Sequence, residues 1–242
     1  MMAVVLAGGL GMRLRPYTMN IPKPLLPLGD MPTIEIVVRQ LSAQGFTRVV
    51  VTVGHLPELL MSFLGDGSRF GLTVDYEVET KPLGTAGSLR VVRDLDDSFI
   101  VMNGDLLTTV DFAQHLRDHV LGGGMASIVL TERVVPIDYG VVHVTSGGQL
   151  LRYEEKPSLK YFVSTGIYAL NRSAVAHVPD GRFDMPDLMT SLHQAGETIS
   201  CRVTDRYWQD IGRFDDYQRA SADFVEDRER FLPCNPNDTP AG

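Results

Sequence analysis

The sequence predicts an α/β protein built on a mixed, mostly parallel central sheet flanked by helices. Apolar runs rich in β-branched residues, such as Arg48-Val49-Val50-Val51-Thr52-Val53, alternate with amphipathic stretches of helical length. A glycine-rich segment, Gly8-Gly9-Leu10-Gly11, follows directly on the first apolar run, where a strand of such a sheet hands over to a ligand-binding loop. With 242 residues, 44% hydrophobic and 21% charged, the chain can bury the core of one ordinary globular domain.

Taken in order, residues 4–7 read as the first strand and 8–32 as a Gly/Pro-rich connection, too long to be a simple link and therefore a carrier of function. Thr33 is placed to cap a helix over 33–44 that ends near Gly45, and 48–53 is the second strand. A short helix over 57–64, a strand over 72–78, a helix over 87–95 and a strand over 98–102 follow, the last ending at Asn103-Gly104-Asp105. Beyond it the texture changes. Strands are expected over 126–131, 140–145 and 150–155, with Gly147-Gly148 turning between the last two, which makes a small β region on the substrate side. A helix over 187–195, a strand over 198–204 and a closing helix over 214–230 complete a single domain spanning 1–232. The Pro-, Asn- and Asp-rich stretch 233–242 reads as a flexible tail, and no hexapeptide array announces a β-helical domain.

Charge and composition exclude several classes. A net charge of −8 argues against nucleic acid or an anionic membrane as the main partner, so an anionic substrate must be held by local positive charge. No apolar run reaches the roughly 20 residues of a membrane span, and the start of the chain lacks a basic signal region, which points to a cytoplasmic protein. Cys201 and Cys234 have no metal-ligand spacing and read as lone thiols. His115 and His119 stand at helical i,i+4 spacing without the glutamate of a zinc-protease motif, and read as a solvated helix face.

Two constellations carry chemistry. In Leu6-Ala7-Gly8-Gly9-Leu10-Gly11-Met12-Arg13-Leu14, glycines let the backbone approach a polyphosphate and Arg13 offers a fork of donors to phosphate oxygens. It is neither a Walker A loop nor a strict G-x-G-x-x-G fingerprint. In Ile21-Pro22-Lys23-Pro24-Leu25, prolines fix the backbone on either side of one lysine, an arrangement suited to a preorganised cation on a reacting phosphate.

Together these strings resemble the signature of the sugar-1-phosphate nucleotidylyltransferases. Further matches follow in that family's order: Pro82-Leu83-Gly84-Thr85-Ala86-Gly87, Asn103-Gly104-Asp105, Tyr139-Gly140-Val141-Val142, Glu155-Lys156-Pro157, Ser164-Thr165-Gly166-Ile167-Tyr168 and Trp208-Gln209-Asp210-Ile211-Gly212. The joint order is specific and covers nearly the whole chain; the closest likeness is to the mannose-1-phosphate and heptose-1-phosphate guanylyltransferases. The resemblance implies a Rossmann-like nucleotidyltransferase fold, an NTP and a sugar-1-phosphate as partners, Mg²⁺ as cofactor, and a family in which homo-oligomers are common. It implies nucleotide binding by Leu6, Ala7, Gly8, Gly9, Gly11, Glu79, Pro82, Gly84 and Thr85, with Arg13 on the β- and γ-phosphates and Lys23 near the α-phosphate. Asp105 and Asp210 correspond to the metal ligands, Asn103, Gly140, Glu155 and Thr165 to sugar contacts, and Lys156 to the contact with the sugar's phosphate. Adjacent Glu154 competes with Glu155, because strand neighbours point to opposite faces.

Glu79 stands at the family's base-reading position, where a glutamine often meets uracil or thymine. A carboxylate only accepts hydrogen bonds, which suits the two adjacent donors of guanine and favours GTP. Met12 replaces a common hydroxyl residue and Met31 a common basic one. An NAD-type oxidoreductase would need an acidic residue at a second strand end, whereas Asp30 lies inside the Pro-rich connection. The remaining alternatives are a uridylyl- or thymidylyltransferase of the same family and a non-catalytic nucleotide-sugar-binding protein.

Overall fold

The computed structural model describes residues 1–232, so the tail expected over 233–242 lies outside the described residues. The first half contains β1 (Met2–Ala7), β2 (Pro27–Leu28), β3 (Met31–Pro32), α1 (Thr33–Ala43), β4 (Arg48–Val53), α2 (Pro57–Leu64), β5 (Thr73–Val78) and α3 (Gly84–Gly87). Then come β6 (Ser98–Asn103), β7 (Leu106–Thr108), α4 (Phe112–Gly122), β8 (Ala126–Pro136), β9 (Val141–Val144), β10 (Leu150–Glu154) and β11 (Ser158–Asn171). The chain closes with α5 (Met185–Gln194), β12 (Ile199–Thr204), β13 (Trp208–Asp210), α6 (Phe214–Glu226) and α7 (Arg228–Phe231).

Seven strands form the central sheet in the order β12-β8-β11-β6-β1-β4-β5. Only β11 runs against its neighbours; the other pairings are parallel, so the expected mixed, mostly parallel sheet forms. Strand alternation sorts the core into two layers. Val49, Val51 and Val53 pack with Ile34, Val38 and Leu41 of α1 and with Phe112 and Leu116 of α4. Val50 points the other way, toward Ala86, Leu89 and, from α5, Met185 and Leu188. A third cluster sets Phe224 of α6 and Phe231 against Leu26, Leu28 and Met31 of the long connection, so Met31 serves the core. No helix among the described residues is long and apolar enough to cross a membrane.

Several expectations need correction. The helix expected over 87–95 shrinks to α3 and a single 3₁₀ turn at Ser88–Arg90. The amides of Ala86 and Gly87 both donate to the Phe183 carbonyl, and Asp94 adopts a left-handed backbone that no helix continues through. Thr33 is the first residue of α1, not its cap, because its hydroxyl donates back to the Leu26 carbonyl. Asp184 caps α5 two residues before the expected start, and Asp227 splits the closing helix into α6 and α7. β11 was not expected from the sequence, because its first half is exposed and its second half buried, so no single alternation runs through it. His115 and His119 do not form a solvated face. They are 2% and 5% exposed, with Ser127 against His115 Nε2 and Asn171 against His119 Nε2, because α4 turns this stripe onto the sheet.

Candidate active site

The carboxyl ends of β1, β4, β5 and β6 open onto a cavity of about 670 Å³. Ten of the residues singled out in the sequence line it: Leu6, Gly8, Gly9, Gly11, Glu79, Pro82, Gly84, Thr85, Asn103 and Asp105. Ala7 does not; it is buried with the α1 layer, on the opposite face of β1. At Gly11 the backbone is left-handed (φ 58°), and a Cβ would lie 2.9 Å from Thr18 Cγ2, whose hydroxyl donates to the Gly11 carbonyl. The glycine loop is thus pinned onto the following turn. Gly54, at the end of β4, approaches so closely that a Cβ would stand 2.8 Å from the Gly8 carbonyl oxygen.

Glu79 follows β5, its amide donating to the Val53 carbonyl. Its carboxylate rests over Gly8, accepts a 3.2 Å hydrogen bond from the Leu83 amide, and is only partly exposed. Burial raises its pKa, and the Leu83 amide opposes the rise. The next turn is locked to the α5 entrance. The Thr85 amide donates to Asp184 Oδ1 at 2.9 Å, the Met185 amide to Thr85 Oγ1 at 2.7 Å, and the Phe183 amide to the Leu83 carbonyl at 2.8 Å.

Around Asp105 in the cavity wall three more charged residues, Arg13, Lys23 and Asp210, converge from distant parts of the chain without lining the cavity themselves. Lys23 is ion-paired with Asp105, and both are largely buried. Antiparallel pairing of β13 with β7 brings Asp210 opposite Leu106, and the Ile211 amide donates to the Asp105 carbonyl. Arg13 and Asp210 meet over Gly212, where a Cβ would stand 2.6 Å from Asp210 Oδ2 and 3.3 Å from Arg13 Nη2. Burial raises the pKa of Asp210 most, the charge of Asp105 raises it further, and Lys23 and Arg13 oppose both. Two neighbouring, half-buried carboxylates with hard oxygen donors fit a divalent cation such as Mg²⁺, which rarely takes a full protein cage. Among the described residues no group of three or more His, Cys, Asp or Glu side chains could hold a metal ion, so further ligands would come from phosphate oxygens or water.

The residues assigned to the sugar fall into two groups. Asn103 lies against Gly166, whose Cβ would stand 2.6 Å from Asn103 Nδ2, at the irregularity in β11 between Ser164 and Tyr168. Beside it Thr165 is buried, its hydroxyl donating to the Val129 carbonyl, while its own carbonyl accepts from Trp208 Nε1 at 2.7 Å. In the second group Glu155 Oε2 and the Tyr153 hydroxyl crowd Gly140, and Tyr153 donates to Glu155 at 3.4 Å. Glu154 is instead engaged by His143 and Arg152. Lys156 is exposed, with φ 45°, and has no ion pair among the described residues. Sequence reasoning missed Thr52, Gly54, Ser88, Arg182 and Asp184 in the cavity wall. The first two stand at the end of a correctly read strand, a position that itself signals ligand contact.

A cleft at parallel strand ends, with paired cations and carboxylates beside it, defines an α/β protein with a charged ligand site. The chain belongs to the nucleotidyl transferase family, whose model matches residues 2–227. It is 34% identical over 243 residues to a UTP–glucose-1-phosphate uridylyltransferase of Synechocystis sp., covering 91% of this chain and 62% of that protein. It is also 34% identical over 226 residues to mannose-1-phosphate guanylyltransferase 1 of Arabidopsis thaliana, covering 90% of this chain and 63% of that one. The chain thus spans a little under two thirds of the length of these curated relatives. Among solved structures, HddC from Yersinia pseudotuberculosis superposes with a TM-score of 0.71 at 25% identity, covering 92% of this chain and 99% of that one.

Proposed function

We propose that the protein transfers a nucleoside monophosphate from an NTP, with GTP favoured, to a sugar-1-phosphate. A phosphate oxygen of the sugar-1-phosphate attacks the α-phosphorus, the bond from that phosphorus to the bridging oxygen of the β-phosphate breaks, and pyrophosphate leaves. The observation that carries this reading is the convergence of Arg13, Lys23 and Asp210 around Asp105 in the cavity wall. Joining two anions requires positioning and charge neutralisation and no nucleophilic side chain. Asp105 and Asp210 would hold Mg²⁺, which when bound screens the phosphate charges. Arg13 would bind the β- and γ-phosphates, and Lys23 the α-phosphate once it exchanges Asp105 for substrate. Glycines 8, 9 and 11 would face the phosphates with backbone amides. Glu155 beside Gly140 would take sugar hydroxyls, and Lys156 the sugar's phosphate. Thr165, its hydroxyl already engaged, would meet the sugar through its backbone.

The preference for GTP is supported by Glu79, an acceptor-only carboxylate on the cavity wall that matches the N1–H and amino donors of guanine. Guanine offers two adjacent donors where uracil, thymine or cytosine offers one, and a hydrogen bond forgone at a half-buried carboxylate costs about 1–3 kcal/mol. The test is pyrophosphate release from GTP, UTP, dTTP and CTP against a panel of sugar-1-phosphates, in wild type and Glu79→Gln. GTP should have the highest kcat/KM, and the Gln variant should lose that selectivity. A wild-type preference for UTP or dTTP, the uridylyl kind of activity named for the Synechocystis relative, would overturn the guanylyl reading. No turnover with any pair would overturn the transferase reading itself.

A further inference from the structure

Among the described residues, two buried side-chain polar atoms lack a hydrogen-bond partner, Gln40 Oε1 and Thr52 Oγ1. Gln40 lies away from the cavity, its amide nitrogen donating to the Thr108 and Phe231 carbonyls. Thr52 is only 1% exposed and lines the cavity. Its register partners are Leu6 on β1 and Glu77 on β5, and Leu6 in turn pairs with Asn103 on β6. Alternation therefore sets Leu6, Thr52 and Asn103 side by side on the face that floors the cavity, one rung below Gly54 and Glu79.

The other buried or half-buried hydroxyls on this wall are committed, while that of Thr80 stands in solvent. Ser88 donates to the Thr85 carbonyl, and Thr85 accepts from the Met185 amide. An unpaired hydroxyl in a closed β-sheet face is destabilising, and a strand position flanked by Val51 and Val53 would accept valine at no steric cost. Thr52 lines the cavity although its oxygen is shut off from water, so the remainder of the residue forms the wall there. A step of about 120° in χ1 exchanges the hydroxyl with the methyl group and needs no backbone movement. Glu79 can only accept, so a base oxygen turned toward this wall needs a donor.

We infer that the Thr52 hydroxyl is a nucleobase-contacting, specificity-determining group, donating to a carbonyl oxygen on the base edge that faces Glu79. This rests on the reading that the cavity takes the nucleoside of an NTP. As a donor it serves guanine, uracil and thymine, which carry such an oxygen; toward adenine, which presents an amine at the corresponding position, it could only accept.

Thr52→Val keeps the shape and removes the hydroxyl; Thr52→Ser keeps the hydroxyl. Calorimetric titration of wild type and both variants with GTP, UTP, dTTP, ATP and 2-aminopurine riboside triphosphate, which lacks the 6-oxygen of guanine, reads the contact directly. For the tightest-bound NTP, Thr52→Val should raise Kd about tenfold, and Thr52→Ser should restore it to within about threefold of wild type. With the 2-aminopurine nucleotide, which has neither an oxygen nor an amine at that position, the Val-to-wild-type ratio should stay near one, and ATP should bind more weakly than the tightest-bound NTP in wild type. The melting temperature of the Val variant should equal or exceed that of wild type, because an unpaired buried hydroxyl has been removed. Unchanged Kd values in Thr52→Val, or an equal loss with and without the base oxygen, would overturn the inference. If UTP binds best and Thr52→Val weakens it tenfold, the guanylyl reading falls and Thr52 stands; if GTP binds best and Thr52→Val binds it as wild type does, the reverse holds.

Discussion

The two ends of the cleft are built differently. At the nucleotide end each charged side chain is held by another part of the chain: Lys23 by Asp105, Arg13 beside Asp210 over Gly212, and Glu79 by the Leu83 amide. Behind them stand β1, β4 and β6, whose central residues are all but fully buried. At the end proposed for the sugar, Glu155 and Lys156 are exposed and follow directly on β10, which with β9 forms a two-stranded unit outside the central sheet. The comparison teaches that preorganisation is concentrated where bond making would occur. The end that would select the acceptor rests on a lighter scaffold, open to variation without disturbing the rest.

That contrast can be broken experimentally. The largest effect is expected at the two carboxylates: Asp105→Asn or Asp210→Asn should lower kcat by at least about a hundredfold, the scale of losing one charge-stabilising group, while the protein stays folded. EDTA should abolish wild-type turnover, and full activity of Asp105→Asn in excess Mg²⁺ would remove the metal assignment. Next, Lys23→Ala should depress kcat more than it raises KM, by roughly tenfold or more, because its contact strengthens as charge develops at the α-phosphate. A purely KM effect would make the two ends alike after all. Lys156→Ala should raise KM for the sugar-1-phosphate by about tenfold and leave kcat near wild type, as loss of uniform binding does. An unchanged KM would mark Lys156 as a solvated turn residue.

The smallest effect concerns stability behind the cleft. Burial first, then the charges of Arg202 and His119, push the His115 pKa down to about 4, while the bond with Ser127 and the charge of Asp118 work the other way. A folded-state pKa below the unfolded value means the unfolded chain binds the extra proton. The stabilisation is therefore complete above about pH 6.5 and is lost as pH falls toward 4. Wild type should lose on the order of 1 kcal/mol more than His115→Gln across that window, measured as the difference in urea midpoints. Parallel pH profiles of the two proteins would show that His115 does not titrate on unfolding.

Much of this was legible in one dimension because it depends on short-range patterning. The valines of β4 announce a strand by composition, and the glycine loop after β1 is a local backbone requirement that its residues state directly. The order of the short motifs by itself points to the family. β11 is hidden because its two halves meet different environments, and the 87–95 helix stops short because Asp94 takes a left-handed backbone, its carbonyl bonded by Arg48 from β4. The His115 face was misread because two histidines i,i+4 look solvated until a sheet covers them.

Neighbours in the chain fix the class of fold, the glycine-rich loop after β1 and the identities of the charged residues. Tertiary structure alone decided which of them meet: that β13 pairs with β7 and so sets Asp210 beside Asp105, that Glu155 and not Glu154 stands at Gly140, and that Thr52 is the unpaired hydroxyl in the cavity wall. Those facts depend on strand register and on which polar groups find partners across the sheet. Both are fixed only when residues far apart in sequence compete for the same space and the same hydrogen bonds.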